Sequence, residues 1–259
     1  MKDPRTLFFR KGALGWIVCL VFLSHLTKLP AQTSTPYQND FETADGFISG
    51  NPGELPEWLF SPEVLPSLNS DAASGLQSLS LLGDGSVSID FLQDIGASIG
   101  WVDFYLKPTI SLETDLPVTI APTQAAITGF VDFGTNGSIF AIDGDGLGSG
   151  SWFDTLSTFD LSGNQANQWM RLSYRLDYLS KTWDLFVDGA FVAYDIGFLD
   201  DSINYLGKFT VEPGANSSTS LDFFYAGPTN PLYADTSNDG LPDSWLQLQG
   251  LDTLINQRY

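Results

Sequence analysis

Alternating apolar and polar residues mark two stretches of the chain as β-strands. Residues 101–107 and 170–178 place an apolar side chain at every second position, with mostly polar side chains between them. Successive side chains of a strand point to opposite faces of a sheet, so each stretch predicts an antiparallel strand with one face in the core and one in solvent. In the longer stretch, the predicted polar face carries Arg171, Ser173, Arg175 and Asp177.

Turn residues divide the rest of the chain into short runs. Asp188-Gly189 lies between the runs 182–187 and 190–195 and predicts a hairpin, because a type I′ turn needs positive φ at both central residues. Further runs predict strands at 76–82, 87–91, 126–133, 138–142, 205–211 and 221–226. A short helix is predicted at 244–249, with Pro242 near its start and Gly250 at its end.

Many short strands without a long helix predict an all-β fold, an antiparallel jelly-roll β-sandwich. We place the sandwich at residues 32–228 and a short loop-and-helix appendix at 229–259.

Residues 1–31 have the pattern of a signal peptide. Four basic residues precede an apolar run at 13–26, and Ala31 offers a small residue for cleavage. The run is short for a membrane span, which needs about 20 residues. We therefore expect an exported protein, secreted or located in the cell envelope, with no membrane span after cleavage. An uncleaved N-terminal anchor is the alternative.

The charge of the chain narrows the choice of partners. It has 31 acidic and 11 basic residues, a formal net charge of −20, and the leader holds five of the basic residues but only one acid. This acidity argues against nucleic acid and anionic membrane surfaces, and it suits divalent cations or neutral ligands such as glycans.

The leader also holds the only cysteine and the only histidine, Cys19 and His25. Residues 32–259 therefore cannot form a disulfide, a Ser-His-Asp or Cys-His catalytic set, or a zinc site built on His or Cys.

Five segments in order resemble the concanavalin A-like jelly roll, in the laminin G-like form found in secreted bacterial proteins. They lie at 40–42, 74–79, 101–106, 183–189 and 221–226, and the resemblance covers about residues 37–227. It implies the same β-sandwich. The superfamily includes glycan-binding lectins, adhesion modules and glycoside hydrolases, so the fold does not fix the function.

The stretch 235–243 has the spacing of the first part of an EF-hand-type calcium loop, with Gly240 at the sixth place. The ligands at its odd-numbered places, the Leu241 carbonyl included, are Asp235, Ser237, Asp239, Leu241 and Asp243. This stretch resembles the thrombospondin type 3-like calcium motif. Ser237 replaces an Asp of that motif, and Leu246 stands where an EF-hand has a bidentate Glu, so we expect weak Ca²⁺ binding. The alternative is an acidic connector before a short helix.

The jelly-roll resemblance implies a second calcium position, where a structural ion ties the first strand to the last. Glu42 and Asp222 occupy those places. The alternative is that Asp222 faces solvent from an edge strand.

A Gly-rich stretch at 141–152 carries Asp143 and Asp145 and ends at Trp152. Such a loop can hold an ion or present Trp152 to a sugar ring; the alternative is a wide flexible turn between strands. Sugar binding needs an exposed aromatic ring beside polar groups. Because Trp58 also lies in a loop-like segment, we expect Trp58, Trp152, Asp143 and Asp145 to bind a ligand.

Catalysis by a glycosidase needs two carboxylates on either side of the scissile bond. The Glu-x-Asp-x-Glu pattern of the laminarinase-like hydrolases of this fold is absent, since Pro117 stands where a second Glu would follow Glu113 and Asp115. The sequence therefore predicts a non-catalytic, lectin-like module that binds a glycan or cell-surface component, with Ca²⁺ as a structural cofactor. The alternatives are a structural or adhesive envelope protein without a small-molecule ligand, and a divergent glycoside hydrolase.

Overall fold

The computed structural model of the chain is built almost entirely of β-strands. It describes residues 32–47, 57–61, 63, 67–69, 71–82, 85–92, 98–109, 128–134, 137–158, 168–212 and 218–257. The predicted leader and the Glu113–Asp115 pair lie outside these residues. In chain order the strands are β1 (Tyr37–Asn39), β2 (Trp58–Phe60), β3 (Ser67–Asn69), β4 (Ser78–Leu82), β5 (Val87–Asp90), β6 (Ile99–Thr109), β7 (Val131–Phe133), β8 (Ser138–Gly144), β9 (Gly150–Thr158), β10 (Met170–Asp177), β11 (Thr182–Val187), β12 (Ala190–Gly197), β13 (Lys208–Val211) and β14 (Ser218–Gly227). A short helix, α1 (Asp243–Leu248), follows them.

A large antiparallel sheet forms one layer of the sandwich. Its strand order is β12-β11-β10-β6-β14-β4-β3, and β1 pairs with the later part of β14, beyond the part that pairs with β4. Two three-stranded antiparallel sheets, β13-β5-β2 and β7-β8-β9, supply strands to the opposite layer. The predicted antiparallel jelly-roll sandwich is confirmed.

The core lies between the large sheet and the smaller sheets, and aromatic rings fill much of it. Phe209 of β13 packs on Phe104 of β6 and Phe224 of β14, with ring centroids 4.9 and 4.7 Å apart. Trp58 of β2 packs on Phe224 at 5.3 Å. Burying rings of this size is a large source of hydrophobic stabilisation.

The alternation in the sequence correctly assigns the inner face of the large sheet. Leu172 of β10 pairs with Phe104 of β6, and both are buried in the core. The hairpin is also as predicted, because Asp188 and Gly189 connect β11 to β12 with φ values of 50° and 77°. Helix α1 has Pro242 at its N-cap, and Gly250 follows it with φ of 72°.

The outer face of the same sheet differs from the prediction. Residues 228–257, here named the C-terminal segment, pack against it and cover part of its polar side chains. Ser173 is 0% exposed and Arg175 is 1% exposed. Arg175 donates hydrogen bonds from Nε and Nη2 to the carbonyl of Asn238, at 3.2 and 2.6 Å. The expectation that this face of β10 meets solvent is therefore wrong for Ser173 and Arg175, while Arg171 on the same face stays partly exposed.

No helix within the described ranges combines the length and the apolar character that crossing a membrane requires.

Candidate functional site

A cleft opens on the outer face of the large sheet, beside the C-terminal segment. The pairing of β6 with β10 starts it, because Arg171 lies directly opposite Tyr105 in the register and both side chains point outward. The guanidinium carbon of Arg171 lies 5.8 Å from the centroid of the Tyr105 ring. An arginine over an aromatic face is attracted by the negative charge of the ring's π-face.

Asp103 fixes the orientation of Arg171. Arg171 Nε donates to Asp103 Oδ1 at 3.0 Å, and Nη2 donates to Oδ2 at 2.7 Å. Asp103 is fully buried and also accepts a hydrogen bond from the hydroxyl of Ser173 at 2.5 Å. The hydrogen bonds to Asp103 raise the pKa of Arg171, so the guanidinium stays cationic. Nε and Nη2 are engaged by this pair, and a hydrogen bond with the side chain of Tyr105 also raises the pKa of Arg171.

The C-terminal segment supplies a second wall. The carbonyl of Pro231 accepts a hydrogen bond from Arg171 Nη2 at 3.2 Å. The side-chain oxygen of Asn230 accepts hydrogen bonds from the backbone N–H groups of Leu232 and Tyr233, at 2.9 and 3.4 Å. The Tyr233 hydroxyl donates to the carbonyl of Gly240 at 2.7 Å. These bonds hold Leu232 and Tyr233 in place beside Arg171.

The β11–β12 hairpin supplies the third wall. The backbone N–H of Asp188 donates to the carbonyl of Arg171 at 2.8 Å, and Asp188 Oδ1 accepts from the backbone N–H of Arg171 at 2.8 Å. The side chain of Asp188 is exposed, and a carboxylate can accept several hydrogen bonds. Asp188 therefore retains acceptor capacity toward a ligand.

The resulting cleft has a volume of about 350 Å³ and is lined by Tyr105, Arg171, Asp188, Gly189, Leu232 and Tyr233. This volume lies at the lower end of the range for small-molecule sites. The lining combines two phenol rings, a fixed cationic donor and a carboxylate acceptor. This combination suits a sugar, because a pyranose has an apolar C–H face and a rim of hydroxyl groups that donate and accept hydrogen bonds.

Trp58 does not contribute to any such surface. The sequence placed it in a loop, but it lies on β2, is 3% exposed and packs on Phe41, Phe209 and Phe224. The prediction of a loop position is wrong, because the run 58–60 pairs with β5. The ring faces of Trp58 are covered by the core and cannot meet a sugar.

Trp152, Asp143 and Asp145 lie on the β8–β9 hairpin and do not line the cleft. Trp152 is half-buried and packs on Phe130 at 5.5 Å. Asp143 Oδ1 accepts a hydrogen bond from the N–H of Gly197 at 2.8 Å. Asp145 is exposed, and its Oδ1 accepts from two backbone N–H groups of its own turn, which lowers its pKa. Ligand binding by this hairpin stays a prediction.

The glycines of this hairpin let two backbone segments approach closely. A Cβ added to Gly144 would lie 2.2 Å from the carbonyl oxygen of Phe198, and one added to Gly197 would lie 2.3 Å from that of Gly144. The N–H groups of Gly146 and Gly148 donate to the carbonyls of Phe198 and Leu199. The stretch is therefore a turn between β8 and β9 that is hydrogen-bonded to residues 197–201.

Glu42 and Asp222 hold the same loop through backbone N–H groups. Glu42 Oε1 accepts from Leu76 and Gln77 at 2.6 and 2.9 Å, and Asp222 Oδ2 accepts from Ala73 and Ser74 at 2.7 and 2.8 Å. Asp222 is fully buried on β14, a central strand, so the alternative that it faces solvent from an edge is wrong. Burial raises the pKa of Asp222 to about 6. An ion at these two residues stays a prediction.

In the predicted calcium loop of the C-terminal segment, the carboxylates accept hydrogen bonds from N–H and hydroxyl groups of the same loop. Asp235 accepts hydrogen bonds from the N–H groups of Asp239 and Gly240, at 3.1 and 2.9 Å. Asp239 is 1% exposed and accepts from the N–H of Leu241 at 2.8 Å. Asp243 points to Thr236, whose N–H and hydroxyl donate to it at 2.9 and 2.6 Å.

The hydroxyl oxygen of Ser237 in this loop is buried, and it has no hydrogen-bond partner among the described residues. Burial raises the pKa of Asp235, and the neighbouring charge of Asp239 raises it further. In the described part of the chain, no group of three or more His, Cys, Asp or Glu side chains is placed to hold a metal ion. The structure therefore brings Asp235, Ser237 and Asp239 into one loop and turns Asp243 toward Thr236.

Sequence reasoning missed every residue of the cleft. Tyr105, Arg171, Asp188 and Tyr233 come from four separate segments, and only the strand register and the docking of the C-terminal segment bring them together. One signal was present: Arg171 and Arg175 are two of only six basic residues after position 31, and both lie on the same predicted face of one strand.

No family model matches the chain, and no curated protein matches it. Several solved structures have similar folds. A sialidase aligns with a TM-score of 0.55 at 12% identity, over 82% of this chain and 20% of that chain. The binding domain of botulinum neurotoxin serotype D aligns with a TM-score of 0.47 at 14% identity, over 66% of this chain and 43% of that chain.

Domain 4 of an extracellular arabinanase from Geobacillus stearothermophilus, solved with arabinotriose, aligns with a TM-score of 0.45 at 15% identity, over 78% of this chain and 96% of that chain. The chain thus spans about one fifth of the sialidase and under half of the neurotoxin domain. At such low identities the likeness concerns the fold, and this chain shares its β-sandwich with part of a sialidase.

Proposed function

We propose that this protein is a carbohydrate-binding module that holds a neutral sugar in the cleft between Tyr105, Arg171 and Tyr233. The observation that carries the proposal is the cleft itself, in which two phenol rings lie beside a guanidinium whose direction is fixed by a buried carboxylate. A donor held in one direction costs little entropy when a hydroxyl group binds to it.

The charges around the cleft favour a neutral ligand. Arg171 is paired with Asp103 behind it, and Asp188 adds a negative charge to the rim. The chain as a whole carries a formal net charge of −20, which repels anions. An uncharged glycan meets no such repulsion and can use the donors and acceptors of the cleft directly.

The lining favours binding over hydrolysis. Glycoside hydrolysis uses two carboxylates on opposite sides of the scissile bond. In the cleft, Asp188 is the carboxylate on the lining, while Asp103 lies behind Arg171 and is held by it. The function that fits this arrangement is a non-catalytic one, on a protein that the leader at residues 1–31 would direct to the cell surface or beyond.

Isothermal titration tests the proposal. The chain is titrated with cello-, xylo- and arabino-oligosaccharides, from monosaccharide to hexasaccharide. We expect at least one series to bind, and Tyr105→Ala to weaken it about tenfold or more, since an aromatic anchor in a small site carries much of the binding energy. Tyr205→Ala is the matched control, because Tyr205 is half-buried and does not line the cleft.

Two results would contradict the proposal. One is the absence of binding to every series by a well-folded sample, which would favour the structural or adhesive alternative. The other is binding that Trp152→Ala removes and Tyr105→Ala leaves unchanged, which would place the ligand on the β8–β9 hairpin.

We also propose that the loop 235–243 binds Ca²⁺ weakly. Two features support this: Asp235 and Asp239 lie close enough for their charges to interact, and the hydroxyl oxygen of Ser237 is buried without a partner. Oxygen ligands of this kind suit Ca²⁺, and carboxylates that already accept N–H bonds keep lone pairs for a cation.

Calorimetry with CaCl₂ and melting in Ca²⁺ or EDTA test the calcium site. We expect heat on binding and a higher melting temperature in Ca²⁺, and we expect Asp239→Asn to lose both. Asp45→Asn, an exposed carboxylate outside the loop, is the control and should keep both. Identical melting in Ca²⁺ and EDTA, with no heat of binding, would rule the site out.

A further inference from the structure

Two exposed aromatic rings lie on the edge of the large sheet, next to the cleft. Strand β12 is the edge strand, and on it Phe191 is 47% exposed and Tyr194 is 66% exposed. Their rings stack on each other, with centroids 5.7 Å apart and planes at 24°. We name Phe191 and Tyr194 the ring pair. Exposing two large aromatic side chains side by side leaves apolar surface in water, which is a mark of interaction sites.

Irregular pairing of β12 with β11 places both rings on one face. Residues three apart on a regular strand point to opposite faces. Here Phe191 pairs with Phe186 and Ala193 with Leu185, so β12 has one more residue than β11 across this step. A second register shift lies between Leu185 and Trp183. Such bulges redirect side chains and recur near binding sites. In this strand they turn Tyr194 to the side of Phe191.

The ring pair is continuous with the cleft. Gly189 lines the cleft, and Phe191 follows it two residues later, about 7 Å along the strand. Phe186 connects the two regions from below: its ring lies 4.9 Å from Phe191 and 6.3 Å from Tyr233, a cleft residue. The ring pair is therefore joined to Tyr233 of the cleft by packing on the buried ring of Phe186.

We propose that the cleft binds one end of an oligosaccharide whose chain continues over the ring pair, so that the ligand is a glycan chain of several units. This inference rests on the proposed function. Tyr194 follows Gly189 of the lining by five residues, up to about 16 Å along a strand, which is longer than one sugar ring. Exposed aromatic faces bind successive pyranose rings through their C–H surfaces.

Charge favours a glycan over a second copy of this chain. Asp188 and Asp195 lie beside the ring pair and are exposed, and each copy carries a formal net charge of −20. Bringing two such edges together adds like-charge repulsion. A neutral glycan avoids this cost.

The dependence of binding affinity on the length of the oligosaccharide tests the inference. The oligosaccharide series that binds best among the cello-, xylo- and arabino-series is titrated from its shortest binding member to the hexasaccharide. For the unaltered chain we expect affinity to rise by about tenfold or more along the series. We expect Tyr194→Ala to remove most of that rise and to leave the affinity for the shortest member within about twofold.

Two control variants distinguish the loss of the Tyr194 ring from an unspecific effect of a surface substitution. Tyr194→Phe keeps the aromatic face and should keep the rise with length. Leu156→Ala removes an apolar side chain that is 88% exposed on β9, away from the cleft, and should change nothing.

The outcomes are distinguishable. An affinity that does not depend on length, or an equal rise in Tyr194→Ala, would overturn the extended site and leave the cleft intact. Sedimentation that shows a dimer lost in Tyr194→Ala would assign the ring pair to a second copy and also overturn it. Failure of every series to bind the unaltered chain would overturn the proposed function, and the extended site with it.

Discussion

The two faces of strand β10 have opposite chemistry and nearly the same burial. On the inner face, Leu172 and Leu176 are 1% and 2% exposed within an apolar core. On the outer face, Ser173 and Arg175 are 0% and 1% exposed under the C-terminal segment. The inner face is buried by the hydrophobic effect. The outer face can be buried because its polar groups have partners, Ser173 in Asp103 of the sheet and Arg175 in the Asn238 carbonyl of the covering segment.

The difference shows what alternation in a sequence does and does not reveal. The period of two correctly identifies the residues that share a face, but it cannot tell whether a second segment covers the polar face. Where the cover ends, beside Arg171 and Tyr233, the outer face opens into the cleft. The candidate site therefore lies at the border of a polar interface within the chain.

The largest expected effect comes from breaking the buried ion pairs of the outer face. Arg175 lies 3.3 Å from Asp184 and 3.4 Å from Asp177, and both carboxylates are buried. Arg175→Met keeps the length of the side chain but leaves two buried charges without their cation, which should cost about 3–5 kcal/mol of unfolding free energy. Chemical denaturation measures this loss.

The inner-face variant Leu172→Ala is the matched comparison. It should cost about 2–5 kcal/mol through lost burial and a cavity. The two variants should differ in hydrogen exchange: Arg175→Met should speed exchange in residues 236–240, because it removes the bonds to the Asn238 carbonyl, and Leu172→Ala should not. Equal exchange in both variants would mean that Arg175 does not hold the segment.

A smaller effect is expected on the pH dependence of the unfolding free energy, in which two buried carboxylates of the outer face should differ. Asp103 has Arg171 as its partner, whereas Asp222 is held by backbone N–H groups, and burial raises its pKa to about 6. In the unfolded chain an Asp titrates near 3.9. Between these values the folded protein keeps a proton that the unfolded chain has lost. The contribution of Asp222 to stability is therefore present below about pH 4 and lost as the pH rises to about 6, by at most about 3 kcal/mol.

Unfolding free energies of the unaltered chain and of Asp222→Asn, measured from pH 4 to pH 7, check this effect. The Asn oxygen can accept the N–H bonds of Ala73 and Ser74, and the Asn side chain does not titrate, so the curve of the variant should fall less over this range. Parallel curves would show that Asp222 titrates in the folded protein as it does in the unfolded chain.

Most of the strands were predictable because the core requires apolar residues at regular positions. Strands β6 and β10, the hairpin at Asp188-Gly189 and helix α1 follow from local pattern and turn chemistry. Strand β9 was not predicted, since it begins with Gly150 and Ser151 and much of it is exposed. Strands β1, β2 and β3 have only three residues each, too few to show a period.

The cleft was not predictable for a different reason. Strand pairing brings Tyr105 and Arg171 together, and the C-terminal segment docks on the sheet through its backbone carbonyls. Every residue has a backbone carbonyl, so the sequence does not show which carbonyls make these contacts. For Trp58 the prediction failed in the opposite way, because a residue expected in the binding site lies in the core. Turn residues around it suggested exposure, yet pairing with β5 carries its ring into the core.

The most direct test of the account is hydrogen exchange of the chain with and without its best-binding oligosaccharide. We expect slower exchange at residues 188–190 of the hairpin and at 230–233 of the C-terminal segment, because these backbones form two walls of the cleft. Slower exchange at residues 141–152, with the cleft unchanged, would contradict it and would assign the glycan to the β8–β9 hairpin.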